Sequence, residues 1–206
     1  MHTSTYENPA ELSGEKVLVV GAGASGQQVA RELAEAGRQV WLAGPAVPNL
    51  PRAFLGKDIY WWLYNSGVMA ARRSSPLGRW LYKRSGGGGK LTVGECMESL
   101  EKTGVRRLGR LKAWSGTAGF EGGEMLEGIE AVVWATGFRN NYDWISADVA
   151  DEQGRVLHRG GVSEKVPGLY FMGLPFMQRQ NSSLMGSVGK DGKAVAKALV
   201  KQAKKS

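Results

Sequence analysis

The most regular hydrophobic pattern of the chain lies near its start. Val17–Val20 is a continuous, mostly β-branched apolar run, which predicts a strand buried on both faces of a parallel sheet. Apolar residues then recur at helical spacing, as at Val29 and Leu33, until Gly37 supplies a helix end. Residues 38–43, RQVWLA, predict a second strand. Together these segments predict a strand–helix–strand unit of the Rossmann type.

A glycine-rich turn joins the first strand to the helix. Gly21, Gly23 and Gly26 match the pattern G-x-G-x-x-G. In that pattern the first glycine permits a tight turn, the second admits a pyrophosphate close to the backbone, and the third lets helix and strand pack closely. The free amides and the positive dipole end of the helix then face the phosphates. The predicted dinucleotide-binding residues of this turn are Gly21, Ala22, Gly23, Ala24, Ser25 and Gly26. The alternative is that the same unit packs without a cofactor.

The end of the second strand bears on the choice of cofactor. NAD sites usually place Asp or Glu there to bind the ribose 2′-hydroxyl, whereas this chain has Ala43, Gly44 and Pro45. Arg52 and Lys57 follow closely, and we expect Arg52 to meet a 2′-phosphate. The alternative for Arg52 is an exposed loop residue without that role. The pattern favours NADP(H) over NAD(H).

The middle of the chain is less regular. An aromatic-rich stretch there predicts a helix that carries Tyr60, Trp61, Leu63 and Tyr64, and such a cluster belongs more often to the core than to a cofactor site. The stretch SGGGGK predicts a flexible loop near residues 85–89. Residues 91–105 predict a helix that ends near Gly104, and residues 106–123 predict the strands of a small antiparallel meander.

A further buried strand is predicted at residues 129–138, IEAVVWATGF. Thr136 and Gly137 follow its apolar run, at the carboxyl end where ligands of open α/β sheets lie, and we add both to the candidate cofactor-binding residues. The predicted fold class is α/β: a Rossmann-like three-layer sandwich with a mostly parallel sheet, a small antiparallel meander and a C-terminal strand and helix.

Composition narrows the classes of function. The chain has 206 residues and a net charge of +8. We expect a small-cofactor protein rather than a nucleic-acid-binding one, because a basic tail and phosphate-facing arginines account for the charge, and neither zinc-finger spacing nor an RNA-recognition motif occurs. The sequence predicts neither export nor a membrane span, so we expect a cytoplasmic location. The single cysteine, Cys96, is expected to be a small buried side chain.

No residue pattern predicts an independent chemistry. The histidines are His2, near the terminus, and His158, expected on a loop. No intact G-x-S-x-G motif surrounds a serine, and Ser25 in GASG fits a hydrogen bond to a phosphate better than a nucleophile. The aspartates are scattered without metal-ligand spacing. We therefore predict no catalytic residue and no metal site.

Three segments together resemble the flavin-containing monooxygenases, a family of two-dinucleotide-binding flavoproteins. They are the opening glycine turn, the ATG of residues 135–137 and the C-terminal residues 161–199. A fourth match lies at the start, where His2 and Tyr6 fit the last two fixed positions of the family signature F-x-G-x-x-x-H-x-x-x-[YF]. The resemblance covers the NADPH-binding domain and the C-terminal segment, and it implies that the family's N-terminal FAD-binding half has no counterpart within these 206 residues.

The resemblance implies a division of the chain and an activity. Residues 1–137 would form the NAD(P)-binding domain, and residues 138–206 the segment that packs on the FAD domain. In the family, NADPH passes hydride to FAD, and the reduced flavin reacts with oxygen to oxygenate a substrate. The expected role is therefore that of an NADP(H)-binding oxidoreductase domain that donates hydride to a flavin held elsewhere or by a partner, and that is inactive alone.

Two alternatives stay open. In the first, FAD binds at this single glycine fingerprint. In the second, the chain is a non-catalytic dinucleotide-binding or assembly module, in which an apolar C-terminal patch drives homo-oligomer formation. The residues of that patch are Leu169, Tyr170, Phe171, Leu174 and Phe176.

Overall fold

A computed structural model describes residues 1–85, 92–94, 97–138 and 140–204. Cys96 and the predicted glycine-rich loop beyond Ser85 lie outside the described residues. The strands are β1 (Lys16–Val20), β2 (Gln39–Ala43), β3 (Asn49–Leu50), β4 (Ala53–Phe54), β5 (Lys57–Asp58), β6 (Thr92–Val93), β7 (Arg106–Leu108), β8 (Leu111–Trp114), β9 (Ala118–Phe120), β10 (Met125–Leu126), β11 (Ala131–Trp134), β12 (His158–Arg159) and β13 (Val162–Ser163). The helices are α1 (Ala24–Glu35), α2 (Ile59–Asn65), α3 (Pro76–Ser85), α4 (Met97–Lys102) and α5 (Met185–Ala203), with a 3-10 turn at Pro9–Glu11.

The chain forms two compact units. Unit 1 comprises residues 1–59 and the described part of 90–138, and unit 2 comprises the described parts of 60–89 and 139–206. The sequence division placed residues 60–89 in the first domain, whereas the structure groups their described part, residues 60–85, with the C-terminal residues. Backbone hydrogen bonds explain the grouping, since Arg73 N donates to Gln178 O (2.9 Å) and Gln180 N donates to Ala71 O (3.0 Å).

A parallel sheet in the order β11-β1-β2-β7 forms the centre of unit 1. The N-terminal residues extend it, because His2 bridges Trp134 in parallel and Thr3 N donates to Trp134 O (3.0 Å). The predicted first strand, helix and second strand correspond to β1, α1 and β2, with Gly37 at φ +83° just past the helix end.

Both faces of this sheet are buried, as the apolar run of β1 predicts. Val17 and Val19 face the helix side, where they form a core with Leu33 of α1 and Leu100 of α4. Leu18 faces the other side and packs with other sheet residues and Phe120 of β9. Because β8, β9 and β10 form an antiparallel sheet, unit 1 has a helix layer, a parallel sheet and a meander layer. The predicted α/β class and the three-layer arrangement are confirmed.

One strand assignment needs correction. We expected residues 106–116 to belong to the meander, but β7 pairs in parallel with β2 through Trp41 and Arg106. Gly109 lies between β7 and β8, which belong to different sheets. The backbone passes close to Glu121 at this point, and a Cβ on Gly109 would lie 2.2 Å from the carbonyl oxygen of Glu121. The meander therefore starts only at Leu111.

Unit 2 differs from its sequence interpretation in two places. In place of the predicted C-terminal strand, the structure has the two-residue strand β13 and an isolated bridge between Tyr170 and Val162, while the predicted C-terminal helix is confirmed as α5. The predicted apolar patch is not an exposed surface. Phe171 and Phe176 are buried, and Leu169, Tyr170 and Leu174 are partly buried. These five residues therefore give no support to association of the chain.

His158 lies in the short strand β12 rather than on a loop. Burial, and then the nearby positive charge of Arg73, lower the pKa of His158 below its ordinary value of 6.5. The unfolded state therefore takes up a proton first as the pH falls below 6.5, and the folded state loses stability until its own His158 is protonated.

We expect His158→Asn to reduce this acid sensitivity. Asparagine keeps an acceptor for the Gly161 amide, which donates to His158 Nδ1 (3.2 Å), but it does not titrate. Urea unfolding between about pH 7 and pH 5 should show a smaller loss of stability for the variant than for the wild type. Parallel curves over that range would contradict the role of His158.

Candidate dinucleotide site

The turn between β1 and α1 is closed by two glycines that no other residue can replace without movement. Gly21 has φ +118°, a conformation that side chains disfavour, and a Cβ there would lie 2.2 Å from the carbonyl oxygen of Ala135. A Cβ on Gly26 would lie 1.8 Å from the carbonyl oxygen of Gly21. These contacts hold the turn against the end of β11 and α1 against the turn.

Gly23 is different from the other two glycines. It is the N-cap of α1, its φ is −73°, and a Cβ on it would meet no atom within 4 Å. Neither backbone conformation nor packing within the chain therefore requires glycine here. Open space in front of a helix N-terminus is what the approach of a phosphate needs, and the structure has such space at Gly23.

The remaining turn residues surround this space. Gln27 N donates to Gly23 O (3.0 Å) as the first regular bond of α1, and the amides ahead of it at the start of a helix have no intrahelical acceptor. Ala24 and Ser25 are exposed, whereas Ala22 is buried. The helix has no acidic residue in its first turn, so no carboxylate of that turn competes for its positive end.

Gln27 also supports the turn, although it was not among the predicted site residues. Its side chain is 2% exposed, and Nε2 donates to the carbonyl oxygen of Ala22 (2.9 Å). This bond fixes the turn from inside the helix. No motif marks a glutamine for such a role. Its position on the apolar face of α1, next to the turn, is the one sequence feature that indicates it, because a buried amide needs a hydrogen-bond partner.

The end of β2 lies directly against the turn. Gly21 N donates to Ala43 O (2.7 Å), and a Cβ on Gly44 would lie 2.8 Å from Ala22 N. Gly44 is buried. Glycine at this position therefore lets β2 pack closely on the turn. The sequence pattern indicated only that no acidic residue follows β2.

Arg52 is positioned by an ion pair. Its Nε lies 2.7 Å from Asp58 Oδ2, and both side chains are substantially exposed. Arg52 lies between the short strands β3 and β4, and its backbone carbonyl accepts from Ile59 N (2.9 Å). Arg52 therefore shares its charge with Asp58, so binding a 2′-phosphate would require that pair to open or be shared.

Thr136 and Gly137 follow β11 at the same carboxyl edge as the glycine turn. Both are exposed, and Ala135, which precedes them, touches Gly21. The next residue, Phe138, packs its ring edge-to-face on His2, with centroids 5.4 Å apart. The two residues from the signature match thus meet separate parts of unit 1. His2 lies beside the ATG segment, while Tyr6 donates its hydroxyl to Glu32 Oε2 of α1 (3.1 Å).

The environment of Tyr6 disfavours ionisation of its hydroxyl. Burial and the hydrogen bond to Glu32 raise the pKa of the Tyr6 hydroxyl, which keeps it protonated. Among the described residues, no group of three or more metal-ligating side chains converges. Within the same residues, no helix combines the length and apolar character of a membrane span.

The fold and the glycine turn define a Rossmann-type protein of the kind found in dinucleotide-binding oxidoreductases. The chain is 37% identical over 194 residues to an uncharacterised CzcO-like oxidoreductase of Geobacillus kaustophilus, covering 93% of this chain and 54% of that protein. It is 34% identical to the uncharacterised oxidoreductase CzcO of Bacillus subtilis, covering 97% of this chain and 57% of the relative. No family model matches the sequence.

A solved structure gives the same result for the fold. A double mutant of a flavin monooxygenase from Stenotrophomonas maltophilia superposes with a TM-score of 0.65 at 20% identity, over 97% of this chain and 54% of the other. The chain is therefore similar in sequence to CzcO-like oxidoreductases and shares its fold with a flavin monooxygenase, in agreement with the resemblance. It spans about half the length of the relatives that it matches.

Proposed function

We propose that the chain binds NADP(H) at the glycine turn of unit 1 and supplies the hydride donor of a flavin-dependent, monooxygenase-like oxidoreductase. The observation that carries the proposal is the open space at Gly23, ahead of the N-terminus of α1. A turn that needs glycine at 21 and 26 for its own packing, but not at 23, is one in which the middle glycine serves a ligand.

The end of β2 supports the preference for NADP(H). The residue that follows β2 is Gly44, which packs on Ala22, so no carboxylate stands there to bind a ribose 2′-hydroxyl or to repel a 2′-phosphate. Arg52 remains the candidate for the 2′-phosphate, with Asp58 as its resting partner. A phosphate that forms two hydrogen bonds with the guanidinium could replace that exposed carboxylate.

When bound, NADP(H) would supply hydride, and a flavin held elsewhere or by a partner would accept it. The residues of this chain would bind and orient the nucleotide. Turn amides and Ser25 would hold the pyrophosphate, while Thr136 and Gly137 would border the same edge of the sheet. No side chain of this site is assigned a proton-transfer role, so we expect no turnover without the flavin.

The test is a thermal titration of the chain with NADPH, NADH and FAD. A ligand that binds only the folded state at about 100 times its Kd stabilises the protein by about 2.7 kcal/mol, which corresponds to several degrees in Tm. We expect the largest shift with NADPH. A larger shift with FAD, together with a yellow purified protein, would support the FAD alternative instead, and no shift with any nucleotide would leave only the non-catalytic assembly module.

A further inference from the structure

A second candidate site lies in unit 2. A cavity of about 870 Å³ opens between the loop that precedes α3, the region around β12 and the loop that precedes α5. Its volume lies within the range of small-molecule sites. None of the residues that line it belongs to the candidate dinucleotide site.

Positive charge dominates the lining. Four arginines and two carboxylates contribute to it. The carboxylates pair locally, since Arg155 Nη2 lies 2.7 Å from Asp151 Oδ2 and Arg159 Nε lies 3.7 Å from Glu164 Oε1. In the part of the chain that the structure describes, Arg72 and Arg73 form no ion pair.

These two arginines stand on a fixed backbone. Arg73 N donates to Gln178 O (2.9 Å), and Arg72 forms an antiparallel bridge with Arg179. The opposing loop is fixed in turn, because Ser182 Oγ accepts from the amides of Gln178 (3.0 Å) and Arg179 (2.9 Å). The backbone of Arg72 and Arg73 is therefore fixed by hydrogen bonds to the opposing loop. A fixed backbone lowers the entropic cost of ordering the two guanidinium groups around a ligand.

Two further side chains shape the charged end of the cavity. The Arg73 guanidinium lies over the ring of Tyr82, 4.4 Å from its centroid, which holds that arginine by a cation–π contact. His158 Nδ1 accepts from the Gly161 amide, so the proton of the neutral imidazole lies on Nε2, which can donate. The lowered pKa of His158 keeps the ring neutral at pH 7.

The rest of the lining combines polar side chains, Ser74, Asn140 and Gln178, with an apolar and aromatic wall. Leu157, Leu174, Pro175 and Met177 contribute to the wall, together with Tyr142. An inorganic anion would leave this surface without a partner, whereas an organic molecule with a carboxylate head and an apolar body would use both parts. The guanidinium group of an arginine can donate two parallel hydrogen bonds to the two oxygens of one carboxylate.

We propose that this cavity binds a small organic carboxylate, with Arg72 and Arg73 on its carboxylate group and the apolar wall around its body. This site goes beyond the proposed nucleotide function and does not depend on it. It adds a second ligand class, at a cavity whose lining residues all belong to unit 2.

The test is calorimetric titration of the full chain with benzoate at constant ionic strength, beside benzyl alcohol and inorganic phosphate. We expect benzoate to bind in the millimolar range or tighter, and both other probes to bind at least about tenfold more weakly, since one lacks the charge and the other the apolar body. Equal binding of phosphate and benzoate would overturn the choice of an organic ligand. Absence of benzoate binding would overturn the site itself.

A matched pair of variants separates the cavity from the overall charge. Arg72→Gln with Arg73→Gln should weaken benzoate binding at least about tenfold and leave the NADPH shift unchanged. Arg106→Gln with Arg107→Gln removes the same charge from an exposed pair on β7 and should leave benzoate binding unchanged. Equal losses in both double variants, or displacement of benzoate by FAD, would overturn the proposal. Comparison of the three probes on the wild type decides it independently of any variant.

Discussion

Replacing Gly23 by valine is expected to abolish the NADPH-induced thermal shift while leaving the fold of the chain intact. Gly23 has φ −73° and ψ −178°, an extended conformation that valine adopts readily. No atom of the chain lies within 4 Å of the position of its Cβ. A branched side chain there fills the space in front of α1 and blocks the approach of a pyrophosphate. Its cost to stability is about 1 kcal/mol or less, because valine is a poorer N-cap than glycine.

Two measurements check this prediction. Circular dichroism and a melting curve without ligand should match the wild type closely, and titration with NADPH should give no increase in Tm. Retention of the full wild-type shift would mean that the nucleotide does not pass over Gly23, and the proposed function would then lose its central support.

Gly26→Val provides the matched control within the same motif. Its Cβ would lie 1.8 Å from the carbonyl oxygen of Gly21, so the turn and α1 could not keep their present contact. Here we expect a loss of several kcal/mol from overpacking and backbone movement, seen as a lower urea midpoint without any ligand. Two glycines three positions apart should therefore give opposite results, one in binding and one in stability.

Much of unit 1 could be predicted from the sequence because both of its signals are local. The apolar run of β1 and the helical spacing of α1 follow from which faces are buried, and the glycine spacing follows from the geometry of one turn. The placement of Arg106–Leu108 beside β2 could not be predicted in the same way. A three-residue strand pairs across a long stretch of chain, and its sequence suits either sheet.

The sequence was less informative about which residues support the site. Gly44 and Gln27 act through contacts with Ala22, and contacts of this kind depend on the packing of β2 and α1 on the turn. The same limit applies to Arg52, whose partner Asp58 lies six positions further along the chain, on the short strand β5. The sequence predicted only that Arg52 could meet a 2′-phosphate or lie exposed in a loop, whereas the fold pairs it with a carboxylate.

Unit 2 shows a further limit. A run of aromatic and aliphatic residues at 169–176 was expected to be exposed, because its usual partner domain was assumed to be needed to cover it. The structure instead buries Phe171 and Phe176 within unit 2, with Phe176 packed edge-to-face on Tyr82, centroids 5.5 Å apart. Long-range packing of residues 60–85 on the C-terminal segment provides that cover, and no local pattern indicates it.

The largest expected effect on stability in unit 2 comes from Asp191→Ala. Asp191 lies in α5, is 1% exposed, and its Oδ1 accepts from Arg179 Nη1 (3.2 Å), while the Arg179 side chain is itself only 16% exposed. Removing the carboxylate leaves a mostly buried guanidinium without its counter-charge, which costs about 3–5 kcal/mol. Arg179 also belongs to the loop that Ser182 holds, so the loss should extend to the end of the cavity.

Urea unfolding measures this effect, and Glu98→Ala is its control. The Glu98–Lys102 pair is exposed on both sides (79% and 75%), so its loss should cost about 0.5 kcal/mol or less. The double change Asp191→Leu with Arg179→Met should recover most of the stability lost in Asp191→Ala, because replacing a buried pair by apolar residues removes the unpaired charge. If Asp191→Ala cost no more than Glu98→Ala, the pair would have to be solvated in the protein, and burial could not be what makes Asp191 necessary.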